Sequence, residues 1–152
     1  MALLPFILLA CVAGALIPVQ AGVNNTLRSF LGSPVHSTIA NFVVGTLASV
    51  VALFVARQPW PTLAAMREAP WWSYLGGVCG ATLVFGGVVA VRELGYAGMV
   101  VCLVAGQMLT SLILDHFGVL GQSPRTIDAQ RLIGVGLIVA GVVLVQFKFG
   151  TA

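Results

Sequence analysis

The chain has 152 residues, of which 59% are hydrophobic and only 7% charged, with a mean hydropathy of +1.07. A soluble domain carries roughly 25% charged residues, so seven basic and four acidic side chains cannot coat a water-facing surface, and the exterior must be lipid. The net charge of +3 comes from basic residues placed singly at segment ends, which excludes the cluster or stripe a nucleic-acid partner needs.

A membrane-spanning helix takes roughly 20 apolar residues, so this length holds about five. The apolar runs are continuous rather than alternating, which selects helices over a β-barrel and gives an all-α integral membrane protein. The first helix is expected at about 3–23, bent at Pro18, whose ring leaves the Gly14 carbonyl without its bond. It is not a signal peptide: no Lys or Arg precedes it, and the apolar run continues past Cys11. Ser33-Pro34 then pairs a cap residue with proline at the first helical position, opening a second helix at about 34–56. Residues 58–70 contain three prolines, Arg67 and Glu68, and predict a loop with an interfacial turn. Trp60, Trp71 and Trp72 mark that boundary, as indoles do at headgroup level. The third helix follows at about 71–91. Arg92-Glu93-Leu94-Gly95 is a short connection that makes a hairpin with the fourth helix, about 96–116. A loop rich in Gly, Ser and Pro leads to the fifth, about 127–147, with Lys148 at its end. One membrane domain thus covers 1–152.

An odd number of helices puts the termini on opposite sides. Arg57, Arg67, Arg125 and Arg131 then lie on the N-terminal side, and Arg28, Arg92 and Lys148 on the other. Orientation follows the excess of Lys and Arg in cytoplasmic loops, and an excess of one gives the insertion machinery little to read. Either the chain inserts both ways, a partner fixes it, or subtler features select one orientation.

Bundles in lipid form through close packing of small residues. Gly76-xxx-Gly80 with Gly87, Gly45-xxx-Ser49 and Gly136-xxx-Ala140 offer such faces, for packing inside one bundle or for a dimer seam. Polar residues in hydrocarbon ask for a partner or a role. Thr38, Asn41, Gly45 and Ser49 form one helical stripe; Gln107, Ser111 and Asp115 form another; Gln20 and Asn24 lie one turn apart beyond Pro18. Taken singly these amides are interhelical glue. Taken together they predict a polar cavity lined by the first, second and fourth helices, with Gln20, Asn24, Asn41, Gln107 and Ser111 contacting a solute. Asp115-His116, near the end of the fourth helix, is a candidate proton or ion pair. It reads equally as a headgroup-level helix end, with Asp115 paired to an arginine of the following loop. His36, in the first turn of the second helix, faces water.

No acid lies in the first or second segment, so a cationic substrate has no counter-ion there. Cys11, Cys79 and Cys102 are far apart, with no CxxC and no histidine at ligand spacing, which gives neither a metal site nor a disulfide. No nucleophile with a base and no phosphate-binding glycine loop is present, so neither an enzyme nor a cofactor is indicated.

Gly14-Ala15-Leu16-Ile17-Pro18-Val19-Gln20 with Asn24 or Asn25, Leu31-Gly32-Ser33-Pro34 with Phe42 and Gly45, and Pro70-Trp71-Trp72 before Leu75-Gly76-Gly77 form an ordered set. It continues with Ala105-Gly106-Gln107, Ser111, Asp115-His116-Phe117-Gly118, and Arg131-Leu132-Ile133-Gly134 with Ala140-Gly141. In order and spacing, over nearly the whole chain, the set resembles the YdcZ-type proteins of the drug/metabolite transporter superfamily. The last two segments also resemble the second half of an EamA-type repeat. Larger members of that superfamily carry two five-helix repeats of opposite topology. The resemblance therefore implies half of an inverted-repeat transporter fold. The related small multidrug resistance proteins carry a glutamate in the first helix, where this chain has none.

The two lines of reading converge on a small-solute transporter of the bacterial inner membrane, working as an antiparallel, dual-topology homodimer. Neutral amides and hydroxyls suit a neutral or zwitterionic polar solute. Two other readings stay open: a non-transporting assembly or regulatory subunit, and one half of an obligate heterodimer with a paralogue of opposite orientation.

Overall fold

A computed structural model describes residues 3–120 and 123–146; Lys148 and the expected end of the fifth helix lie outside them. The elements are α1 (Leu4–Leu31), α2 (Pro34–Val55), α3 (Leu63–Glu68), α4 (Gly76–Phe117) and α5 (Ala129–Gln146), with a 3-10 turn at Trp71–Leu75 before α4. Among the described residues, four helical stretches are long and apolar enough to cross a membrane. One of them, Trp71–Phe117, has 47 residues, roughly twice the ~20 that span a bilayer. It is broken at Gly95, whose φ of 70° and ψ of 176° are not helical, so it supplies two crossings and the total is five. The expected connection at 92–95 shrinks to that one residue. Arg92, Glu93 and Leu94 stay helical, because charge ends an apolar run without breaking hydrogen bonds, whereas a left-handed glycine breaks them.

The chain falls into two compact units, Met1–Arg92 and Glu93–Ala152. In the first, α1 packs beside α2. α1 continues through Pro18 to Leu31 rather than ending near 23. Its last turns hold Asn24, Asn25, Thr26, Arg28 and Ser29, and two of these bond within the helix: Thr26 Oγ1 donates to the Gly22 carbonyl (3.1 Å) and Ser29 Oγ to that of Thr26 (2.6 Å). What stops it is Gly32, at φ +73°, whose N–H caps the Arg28 carbonyl at 2.8 Å. Arg28 in the last turn complements the negative end of the helix dipole.

Ser33 then caps α2, its Oγ accepting from the Val35 N–H at 3.2 Å, with Pro34 at the first helical position. Such a cap contributes about 1 kcal/mol. The hydroxyls of Ser37 and Thr38, both buried, donate to the Pro34 carbonyl at 3.0 and 2.8 Å. His36 is exposed, with Nδ1 3.1 Å from the Leu31 carbonyl. The interfacial turn expected in 58–70 is α3, capped by Thr62, whose Oγ1 accepts from the Ala65 N–H at 3.2 Å. Tyr74 Oη ties it to the following 3-10 turn by donating to the Met66 carbonyl at 2.7 Å, and Trp60 packs edge-on against Phe54 with ring centroids 6.3 Å apart.

In the second unit Asp128 caps α5, with Oδ1 accepting from the Arg131 N–H at 2.8 Å. The turn after α4 is shaped by Gly118, at φ +59°, where a Cβ would meet the Pro124 ring at 2.5 Å. The Arg125 N–H reaches back to the Asp115 carbonyl at 2.7 Å. Across both units most large apolar side chains point outward, among them Leu9 (68% exposed), Val44 (66%) and Leu137 (69%). That inversion of a soluble protein's packing fits a lipid solvent.

Candidate functional site

Within the first unit, three of the expected site residues come together. Gln20 Nε2 donates to Asn41 Oδ1 at 3.4 Å, linking α1 to α2 across 21 positions of sequence. Asn24, one turn further along α1, is 4% exposed, and among the described residues its Nδ2 has no hydrogen-bond partner. All three line one hollow of about 410 Å³, with Leu16, Ile17 and Val23 among its apolar walls. An unsatisfied buried amide donor costs about 1–3 kcal/mol, so an acceptor delivered to Asn24 recovers more there than at an exposed amide. The α2 stripe is divided: Asn41 belongs to this hollow, while Thr38 lines a separate, apolar one of about 450 Å³ with Phe42 and Thr46.

Gln107 and Ser111 line a hollow of about 460 Å³ in the second unit, together with Cys102, Gly106 and Thr110. Gln107 is exposed, and Ser111 Oγ donates to the Met108 carbonyl at 2.9 Å, leaving its oxygen as an acceptor. Asp115 pairs with Arg131, Nη1 to Oδ2 at 3.2 Å, and Arg131 Nε also lies 3.9 Å from Asp128 Oδ2. This is the arginine pairing that Asp115 invites, except that Arg131 lies in the first turn of α5 rather than in the loop. The His116 ring rests edge-on against Phe117, with centroids 5.1 Å apart.

The three small-residue positions differ. A Cβ on Gly80 would lie 3.4 Å from the Phe42 ring; one on Gly76 would meet nothing within 4 Å; Gly87 is buried. A side chain at Gly80 would thus sit at contact distance from Phe42 of α2, whereas nothing among the described residues lies against Gly76. Among the described residues, no three His, Cys, Asp or Glu side chains gather as a metal site.

Sequence reasoning passed over one further hollow of the first unit. Asn25, Arg28, Ser29, Gly32 and Arg92 line about 390 Å³ at the end of α1. The spacing of Asn25, Arg28 and Ser29 at i, i+3 and i+4 already puts them on one helix face. Arg92, remote in sequence, carries no such signal.

No curated protein and no solved structure matches the chain. A family model does, over residues 5–144, under the description "Putative inner membrane exporter, YdcZ". That stretch takes in all five apolar helices, and with it the three amides of the first unit, the hollow beside Gln107 and the Asp115–Arg131 pair. The chain therefore belongs to this family: it is a multi-pass protein of the inner membrane, of exporter type.

Proposed function

We propose that the protein carries a small, polar, neutral or zwitterionic solute across the membrane, with Gln20, Asn24, Asn41, Gln107 and Ser111 as its contacts. The observation that carries this reading is the buried Nδ2 of Asn24, without a partner, beside the Gln20–Asn41 bond in one hollow. Hydrocarbon penalises such a group heavily; a site that receives a solute's acceptor accounts for it. The absence of an acid in α1 and α2 argues for hydrogen-bonding recognition over capture of a cation.

The working unit is an antiparallel dimer of two copies, each contributing one half of an inverted repeat. Its support is the four-to-three division of basic residues, which gives almost no orientation signal. Two measurements test the proposal. Flux of labelled neutral and zwitterionic solutes into vesicles containing the purified protein should be lost in Gln107→Leu, with membrane expression unchanged; equal flux in variant and wild type sinks the contact assignment. Single cysteines at Thr62 and at Ala152 of a cysteine-free protein should each label about half from outside intact cells, as dual insertion requires. Full labelling of one and none of the other fixes the orientation and turns the search to a paralogue of opposite topology. Absence of flux, together with co-purification of a different chain, favours the assembly-subunit reading.

A further inference from the structure

The hollow at the end of α1 has a chemistry of its own. Arg28 is half-buried, and among the described residues its guanidinium makes no ion pair and no side-chain hydrogen bond. Arg92 lines the same hollow, followed in the chain by Glu93, so Arg28 is the charge that counts. The Asn25 amide also has no side-chain hydrogen bond there, whereas the Ser29 proton goes to the Thr26 carbonyl. The lining residues therefore offer one cation, Arg28, and an amide donor, with no carboxylate among them. A partly desolvated guanidinium balanced only by the end of a helix dipole still favours an anion, and its planar fork matches carboxylate and phosphate oxygens.

Depth selects between those two. α1 has 28 residues, about 42 Å at ~1.5 Å per residue, against a hydrocarbon core of roughly 30 Å. Its apolar stretch gives way to polar residues from Asn24 onward. The last two turns, and Arg28 with them, therefore stand at headgroup level, where phosphate is the abundant anion and basic pockets between helices hold it.

We infer that the Asn25–Arg28–Arg92 hollow binds a phosphate group, with Arg28 as its principal ligand. The phosphate belongs to a phospholipid headgroup or to a soluble phosphate ester, and the two sources are separable. The site is distinct from the Gln20–Asn24–Asn41 hollow, and its test reads binding rather than transport, so it stands or falls apart from the proposed function.

The purified protein in a neutral detergent is titrated with short-chain phosphatidylglycerol, with the matching diacylglycerol, and with glycerol 3-phosphate, and the melting temperature is followed. Phosphatidylglycerol is expected to raise it in a saturable way and diacylglycerol to leave it unchanged. Arg28→Gln should weaken the apparent affinity about tenfold or more, as loss of a charge-assisted bond does. Arg57→Gln, outside the hollow, should keep wild-type affinity. A shift with phosphatidylglycerol alone assigns a lipid headgroup; a shift with glycerol 3-phosphate as well assigns a soluble phosphate ester. Equal shifts from diacylglycerol and phosphatidylglycerol, no shift from either phosphate compound, or a wild-type response in Arg28→Gln overturns the site. If Arg28→Gln fails to fold, Arg28→Lys and Asn25→Leu replace it: each should weaken binding severalfold, and wild-type affinity in both has the same overturning force.

Discussion

Arg131 reaches Asp115 from the first turn of α5, Nη1 to Oδ2 at 3.2 Å, while its own backbone N–H is held by Asp128 Oδ1 at 2.8 Å. Two carboxylates thus fix one arginine, Asp115 through its fork and Asp128 through its backbone N–H and, at 3.9 Å, its Nε. The side chains of the Arg131–Asp115 pair are 34% and 40% exposed, so water screens their attraction. A double-mutant cycle of Asp115→Ala and Arg131→Ala, read by thermal unfolding in detergent, should give a coupling of about 0.5–1 kcal/mol. Zero coupling assigns the ordering of this corner to the Asp128 cap alone.

Asn24→Leu separates function from stability. The substitution removes a buried donor that lacks a partner among the described residues and leaves a side chain of the same branched shape, somewhat larger. Thermal stability should hold or rise, by up to about 1–3 kcal/mol, while solute flux is lost. A fall in stability together with retained flux shows that Asn24 holds the fold instead.

Gly95→Ala should destabilise by about 1–3 kcal/mol, because a φ of 70° with a ψ of 176° belongs to a region that side chains with a Cβ avoid. Nothing lies within 4 Å of the added Cβ, so the cost is backbone strain alone. Melting temperature and folded yield read it directly, and an unchanged melting curve shows that the break moves to a neighbouring residue.

Gly76 and Gly80 lie one turn apart but should respond differently. Gly80→Leu drives a side chain into the Phe42 ring, already 3.4 Å from a Cβ at that position, and should cost about 1–3 kcal/mol of stability. Gly76→Leu meets open space and should leave the stability within about 0.5 kcal/mol of wild type. If the Gly76 face is a seam between copies, chemical cross-linking in membranes falls in Gly76→Leu; undiminished cross-linking places the seam elsewhere.

The apolar runs made the five crossings legible, since lipid imposes continuous hydrophobicity and length directly on the sequence. Helix ends were less legible. The run from Asn24 to Ser29 suggests the end of α1 because polarity and helix breaking give the same signal in a sequence, although Thr26 and Ser29 bond back to their own helix. α3 shows in the sequence only as an interfacial turn among prolines, because its cap and its Tyr74 tie involve single side chains rather than a pattern. The amides of α1 stood out as polar residues in an apolar chain. The Gln20–Asn41 bond did not, because helical stripes give the face of a residue and not its partner on another helix. Arg28 was counted only as a topology charge, for its neighbour Arg92 arrives from 64 positions along the chain.

The hollow of Gln20, Asn24 and Asn41 is lined otherwise by alanine, leucine, isoleucine and valine. None of these side chains gains or loses a proton in water at any ordinary pH. The donors and acceptors it offers are therefore the same in acid and in alkali, and a solute held there, as proposed above, would meet an unchanging template. Any proton gradient that drives the protein must act through groups outside these walls, so acidity should alter the rate of turnover without altering which molecules fit.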